Sequence, residues 1–139
     1  MPQRIPASFF QPSYVDAVEQ LLPVLRSVTG DDVVVITCLE EDVYVTETEF
    51  FRVPSGRKSD VPAEELFALP TQLHATAVAV TSTSSGPIEE LHEADLEFTR
   101  HLAREAHRRG IRLAEHFLVQ GDMFRVMSES MSLDASSPP

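Results

Sequence analysis

The chain has 139 residues, of which 42% are hydrophobic and 24% charged, and its formal net charge is −11. This length suits one domain with a core of its own, and the composition is that of an ordinary globular protein. Because proteins bind phosphate backbones mainly through Lys and Arg, the acidic balance disfavours nucleic acid as a partner. The sequence contains neither an apolar run of membrane-spanning length nor the pattern of a signal peptide. We therefore expect a cytoplasmic protein.

The first part of the chain predicts a helix followed by two strands. Apolar residues recur at helical spacing over 14–28 and predict a helix, within an N-terminal segment (1–30) that packs on the domain. The alternating runs 32–39 and 43–51 predict strands. The single cysteine lies in the first strand, where we expect a small core residue and not a reactive thiol. The turn-rich segment 52–60 predicts a loop.

The middle of the chain predicts a helix, a buried strand and a long helix. A proline followed by two acids is typical of a helix start and predicts a helix over 62–73. A short apolar strand, 75–80, is predicted to run into the hydroxyl-rich loop 81–87. The long helix, 89–109, presents a stripe of residues at helical spacing that should face the core: His92, Asp95, Thr99, Leu102 and Ala106.

The end of the chain predicts two closing strands, 111–119 and 123–127, and then a tail, 131–139, whose polar, proline-ended sequence predicts disorder. Helices and strands alternate over the segment 31–130. Such alternation predicts a single α/β domain with a mixed sheet covered by helices.

Several dipeptides around the long helix resemble those of one known family. RadC-like JAB domains carry an aspartate at the start of this helix, then Thr-Arg, then Gly-Ile at its end, and then a strand with Asp-His. This chain matches those offsets without a gap at Asp95, Thr99-Arg100, Gly110-Ile111 and Glu115-His116. Upstream, Glu65 and Phe67 agree with the start of an earlier family helix. The resemblance implies the JAB/MPN (JAMM-type) fold, which has a cytidine-deaminase-like architecture.

The same resemblance implies a degenerate metal site. Active relatives bind zinc through two histidines and an aspartate, and the ungapped register puts Ser82 and Ser84 at the histidine positions. Asp95 keeps the aspartate position, while Asp32 stands where the family has a catalytic glutamate and His92 where it has a serine. A catalytic zinc needs three good protein donors, and neutral hydroxyls are poor ones. The resemblance therefore implies no bound metal, no other cofactor and no catalytic residue, so an enzyme is not favoured.

Two rebuilt sites remain as alternatives from the residues themselves. His92, Asp95 and Asp32 would offer one imidazole and two carboxylates to a metal, which would give a hydrolase of the peptidase or isopeptidase type with an altered site. Ser82 or Ser84 could instead act as a nucleophile, with His92 as its base and Asp95 orienting the imidazole. The hydroxyls of such a loop more often form hydrogen bonds with the loop's own backbone. This tendency favours neither rebuilt site.

A third class of function is nucleic-acid association, which the repair-associated name of the family suggests. An arginine-rich stretch on the long helix could form a basic stripe, but Glu97 and Glu105 lie at spacings that balance it. His116 is most simply a core histidine with local hydrogen bonds. These observations leave nucleic acid as the weaker alternative.

We therefore interpret the chain as a pseudoenzyme, a metalloprotease-like JAB domain that acts through protein contacts. Its partner is not evident from the sequence, and a homodimer stays open. An extended partner segment could add as a strand at an exposed sheet edge, for which the strand 43–51 is a candidate.

Overall fold

The structure is a computed structural model that describes residues 3–6, 30–40, 44–121 and 123–127, with only the backbone of 3–6 and 44. Its centre is one six-stranded sheet in the order β1-β3-β2-β4-β5-β6. The β4–β5 pair is parallel and every other neighbouring pair is antiparallel. The strands are β1 (Gln3–Pro6), β2 (Asp31–Glu40), β3 (Tyr44–Pro54), β4 (Ala77–Thr83), β5 (Arg112–Gln120) and β6 (Met123–Val126).

The described helices lie between β3 and β5. A single 3-10 turn, Lys58–Asp60, is followed by two short helices, α1 (Ala63–Leu66) and α2 (Ala68–Gln72). The long helix α3 (Glu93–Arg108) connects the parallel strands β4 and β5. Since a parallel pair needs a crossover connection, α3 must pack back against the sheet.

Helix α3 follows from its amphipathic sequence and its ends. Its first turn is acidic and its last turn basic, which suits the helix dipole at both ends. Gly110 follows with φ of 70°, a left-handed conformation that lets the chain leave the helix at little cost. The apolar face of α3 packs on β2 and β4 in one core cluster, to which it contributes Phe98, Leu102 and Ala106.

The predicted α/β class with a mixed, helix-covered sheet is confirmed. Several predicted boundaries were wrong, however. The strand predicted to stop at residue 80 continues to Thr83, so Thr81, Ser82 and Thr83 belong to β4 and not to a loop. The helix predicted over 62–73 is two short helices, because Phe67 leaves the helical conformation with φ of −103° and ψ of 8°. Strand β3 extends to Pro54, beyond its predicted end.

The strand 43–51 was also the predicted exposed edge, and this was wrong. Strand β3 pairs with β2 along most of its length and with β1 over Glu47–Phe50. Among the described strands the outer positions belong to β1, which the sequence did not predict, and to β6. The predicted helix over 14–28 and the predicted tail over 131–139 lie outside the described residues. None of the described helices combines the length and the apolar character needed to cross a membrane.

Candidate functional site

The site lies where β4 ends and α3 begins. The parallel β4–α3–β5 unit brings the first turn of α3, with Asp95, next to the end of β4 at Thr83. The 3-10 turn after β3 approaches from the other side and carries Lys58. Asp95 is fully buried and Lys58 is 4% exposed, so two opposite charges meet inside the protein.

Lys58 and Asp95 form a buried ion pair. The Lys58 Nζ atom lies 2.5 Å from Oδ1 of Asp95 and also donates to the backbone carbonyl of Thr83 at 2.6 Å. The ammonium lies 5.3 Å from the centre of the Phe98 ring, a cation–π contact. Ser85 completes the environment of the carboxylate, since its hydroxyl donates to Oδ1 at 2.7 Å and its amide to Oδ2 at 3.2 Å. Both carboxylate oxygens therefore accept hydrogen bonds from protein groups.

These contacts keep Asp95 ionised despite its burial. Burial alone would raise the pKa of Asp95, because a charge loses solvation in the interior. The hydrogen bond and positive charge of Lys58, together with the two hydrogen bonds from Ser85, outweigh that effect and lower the pKa below its ordinary value. Asp95 is thus a carboxylate at neutral pH.

A second, neutral cluster lies beside the ion pair and is centred on His116. This histidine is 1% exposed, with Nε2 2.7 Å from Oγ of Ser82 and Nδ1 2.7 Å from Oγ1 of Thr99. The Thr99 hydroxyl donates its one proton to the carbonyl of Asp95 at 2.9 Å, so it accepts from His116. Nδ1 of His116 then carries the proton, and Nε2 accepts from Ser82.

His116 stays neutral at physiological pH. Burial, and then the positive charge of Lys58, lower its pKa to about 3, while the charge of Asp95 opposes them more weakly. Both ring nitrogens have partners that suit the neutral form. The prediction of a core histidine with local hydrogen bonds is confirmed.

The other predicted site residues have partners of their own. Asp32 accepts from the hydroxyl of Thr83 at 3.0 Å and from the amide of Gly56 at 2.8 Å. His92, the residue before α3, donates from Nε2 to the carbonyl of Pro87 at 2.9 Å. Its ring packs so closely on Gly86 that a Cβ there would lie 2.7 Å from the ring. Within the described part of the chain, no three His, Cys, Asp or Glu side chains are placed to hold a metal together.

The predicted serine–histidine–aspartate arrangement does not form. Ser82 bonds to His116, which lies on β5, and not to His92. Ser84 donates to the carbonyl of Gly86 at 2.7 Å, as a loop hydroxyl often does. Ser82 is 0% exposed because it lies within β4, so a substrate could not reach it without a rearrangement of the strand.

Zinc does not fit these residues as they stand. At the two positions where the resemblance expects histidine, the hydroxyls of Ser82 and Ser84 are both engaged. At Asp95, where the resemblance expects the third ligand, the Lys58 ammonium and the Ser85 hydroxyl both bind the carboxylate oxygen Oδ1. Zinc sites in proteins are built from thiolate, imidazole and carboxylate donors, and among the described residues no three such side chains are placed together.

Lys58 is the functional residue that the sequence analysis missed. It lies in a segment treated only as a turn-rich loop, 37 positions before its partner. Lys58 is the only lysine in the sequence, beside ten arginines, but this composition does not predict which residue the lysine contacts.

The arginine-rich stretch of α3 is balanced as predicted. Arg100 pairs with Glu97 at 2.7 Å, and Arg109 pairs with Glu105 at 2.8 Å. Arg108 also reaches Glu105, at 3.1 Å. The Arg100–Glu97 pair is exposed, at 38% and 58%, whereas the side chains of Arg109 and Glu105 are only 22% and 15% exposed.

A comparison with protein families agrees with the fold. The family model of the RadC-like JAB domain matches residues 12–132, which is most of the chain. No curated protein is similar enough to be counted as a match. The mixed sheet, the crossover helix and Asp95 in the first turn of that helix all lie within the matched segment. The chain therefore belongs to the RadC-like JAB domain family.

Proposed function

We propose that this protein is a non-catalytic JAB domain that acts through contacts with another protein. The observation that carries the proposal is the ion pair at the centre of the site. Asp95, at the position of a metal ligand, is neutralised by the side chain of Lys58 at 2.5 Å and needs no metal. A metallohydrolase depends on a metal to polarise its substrate and to lower the pKa of a bound water.

The neighbouring residues support the same conclusion. His116 lies beside the ion pair, but its pKa is lowered to about 3 and both of its nitrogens are hydrogen-bonded. A general base works best with a pKa near the working pH and with a free nitrogen. Asp32, at the position of the catalytic glutamate, is bonded to Thr83 and Gly56. Groups held by hydrogen bonds in this way favour a structural role over the activation of water.

We propose that the partner contributes an extended segment at the β6 edge of the sheet. In the described part of the chain β6 has one neighbour, β5, and it carries two exposed large apolar residues, Met123 at 48% and Phe124 at 37%. A peptide that adds as a strand gains main-chain hydrogen bonds, and side-chain contacts such as these supply selectivity. Such an interface does not depend on a metal.

Zinc titration by calorimetry tests the non-catalytic part of the proposal. We expect no binding at micromolar zinc by the wild-type protein after treatment with a chelator. Stoichiometric binding that is lost in the variants Asp95→Asn and His92→Ala would instead support the altered-site hydrolase with His92, Asp95 and Asp32. A peptidase or isopeptidase assay with and without zinc would then follow.

Site-specific photo-crosslinking tests the partner surface. A photoreactive amino acid at position 124 should crosslink to an extended segment of one recurring partner protein, identified by mass spectrometry. Position 73 provides the matched control, because Leu73 is also an exposed large apolar residue, at 42%, but lies on α2's C-terminal side and away from β6. Equal crosslinking patterns at 124 and 73 would contradict a specific contact at this edge.

A further inference from the structure

We propose that the ammonium of Lys58 has taken the place of the metal ion in this JAB domain, as a built-in cation that excludes a divalent metal. The proposal concerns the site itself and does not depend on the protein contacts proposed above. The observation behind it is the position of the ammonium. Lys58 is bound to Asp95, the one side chain that remains at the ligand positions expected from the family.

The contacts of Lys58 are those of a cation held in a prepared oxygen pocket. Its Nζ atom binds a carboxylate oxygen of Asp95 and the carbonyl oxygen of Thr83, the last residue of β4. The loop after β4 holds the other side of the carboxylate through Ser85. One cation thus joins the 3-10 turn, the end of β4 and the start of α3, which are separate in sequence.

Burial explains why a cation is needed when the metal is lost. Asp95 is 0% exposed, and an isolated buried carboxylate is strongly unfavourable. A family member that lost its histidines but kept this aspartate would therefore hold an unpaired charge. Lys58 supplies the missing positive charge. Because its ammonium is covalently part of the chain, this charge cannot dissociate as a metal ion can.

The same geometry makes the ammonium and a metal mutually exclusive. A divalent ion bound to Asp95 would have to share Oδ1 with Lys58 or lie within a few ångströms of the ammonium. Like charges at that distance repel strongly in the interior. Restoring the histidines alone should therefore not restore metal binding, and Lys58 must also be removed.

The test compares zinc binding in two designed proteins by calorimetry, with cobalt(II) absorption as an independent reading of coordination. One carries Ser82→His and Ser84→His, and the other carries the same changes together with Lys58→Met. We expect the triple variant to bind zinc at least 100-fold more tightly than the double variant. Equal affinities, or no binding by the triple variant, would overturn the proposal.

A second measurement does not require the histidine variants to fold. Lys58→Met should lower the thermal unfolding temperature by several degrees, and adding Asp95→Asn to it should recover most of the loss, because no buried charge then remains. Lys58→Met/Asp32→Asn is the matched control, since it also neutralises a carboxylate near the site and should not recover stability. If Asp95→Asn gives no recovery, Lys58 does not serve as the counter-ion of Asp95 and the proposal fails.

Discussion

Helix α3 takes part in a buried and an exposed ion pair, which differ above all in their exposure to water. On the inner face Lys58 and Asp95 have side chains that are 5% and 0% exposed. On the outer face Arg100 and Glu97 are 38% and 58% exposed, although their closest atoms lie at a similar separation of 2.7 Å. The distance between the charged atoms therefore does not predict how much each pair contributes to stability.

Exposure to water determines how much each pair contributes to stability. An exposed pair exchanges solvation for a screened attraction, and most such pairs contribute between about 0 and 1 kcal/mol. A buried pair is costly to form, but once it is formed neither partner can be removed cheaply, because the other is left as an unpaired charge. The inner pair consequently stabilises the contact between the segments it joins, and the exposed Arg100–Glu97 pair mainly balances surface charge.

The largest effect is expected from Asp95→Ala. This change leaves the ammonium of Lys58 buried without a carboxylate and removes the acceptor of both Ser85 hydrogen bonds. We expect the free energy of unfolding to fall by about 3–5 kcal/mol. Urea denaturation followed by circular dichroism measures it. Asp95→Asn, which keeps an acceptor of the same shape, should cost less than Asp95→Ala, and an equal or smaller cost for Asp95→Ala would contradict the assignment.

The next effect is a loss of stability in mild acid that originates in His116. The unfolded histidine has a pKa near 6.5, and in the folded protein it is lowered to about 3. Between these values the unfolded state binds more protons, so stability is fully present above pH 6.5 and falls as the pH drops towards 3. From pH 7.5 to 5 the contribution should decrease by about 2 kcal/mol.

Urea denaturation at both pH values measures this loss, and His116→Gln serves as the reference. The glutamine variant keeps a buried polar side chain but cannot bind a proton in this range. Its stability should therefore change less between pH 7.5 and 5 than that of the wild type. If the two proteins lose the same amount, His116 is not responsible for the acid sensitivity.

A smaller effect is expected from Ser82→Ala. The serine hydroxyl donates to Nε2 of His116, and its removal leaves that nitrogen buried without a donor. Such unsatisfied groups cost about 1–3 kcal/mol, and we expect a value near the lower end because His116 is neutral. Ser84→Ala is the matched control, since its hydroxyl donates to a neighbouring carbonyl in the loop. Equal effects of the two variants would show that the Ser82–His116 contact adds nothing.

The sequence predicted the scaffold of this site but not its centre. Periodicity located β2, β5 and α3, and the resemblance put Asp95 at the start of α3, because all of these depend on local spacing. The end of β4 was misplaced because hydroxyl residues are common in loops, whereas here Thr83 accepts from the amide of Val33 through its Oγ1 atom and remains in the sheet. Lys58 could not be assigned, since its role depends on a contact between distant segments that no local pattern records.

The smallest effect is expected on the outer face, from Glu97→Ala. It removes the 2.7 Å partner of Arg100, but Arg100 stays partly solvated and keeps a longer contact to Glu93 at 3.5 Å. We expect the free energy of unfolding to change by no more than about 0.5 kcal/mol, and the change to shrink in high salt.

The stability of Asp95→Ala relative to wild type should respond much less to salt, because water and ions do not reach the inner pair. Urea denaturation at low and high sodium chloride compares the two variants directly. A loss from Glu97→Ala as large as that from Asp95→Ala would mean that exposure does not separate the two faces of α3.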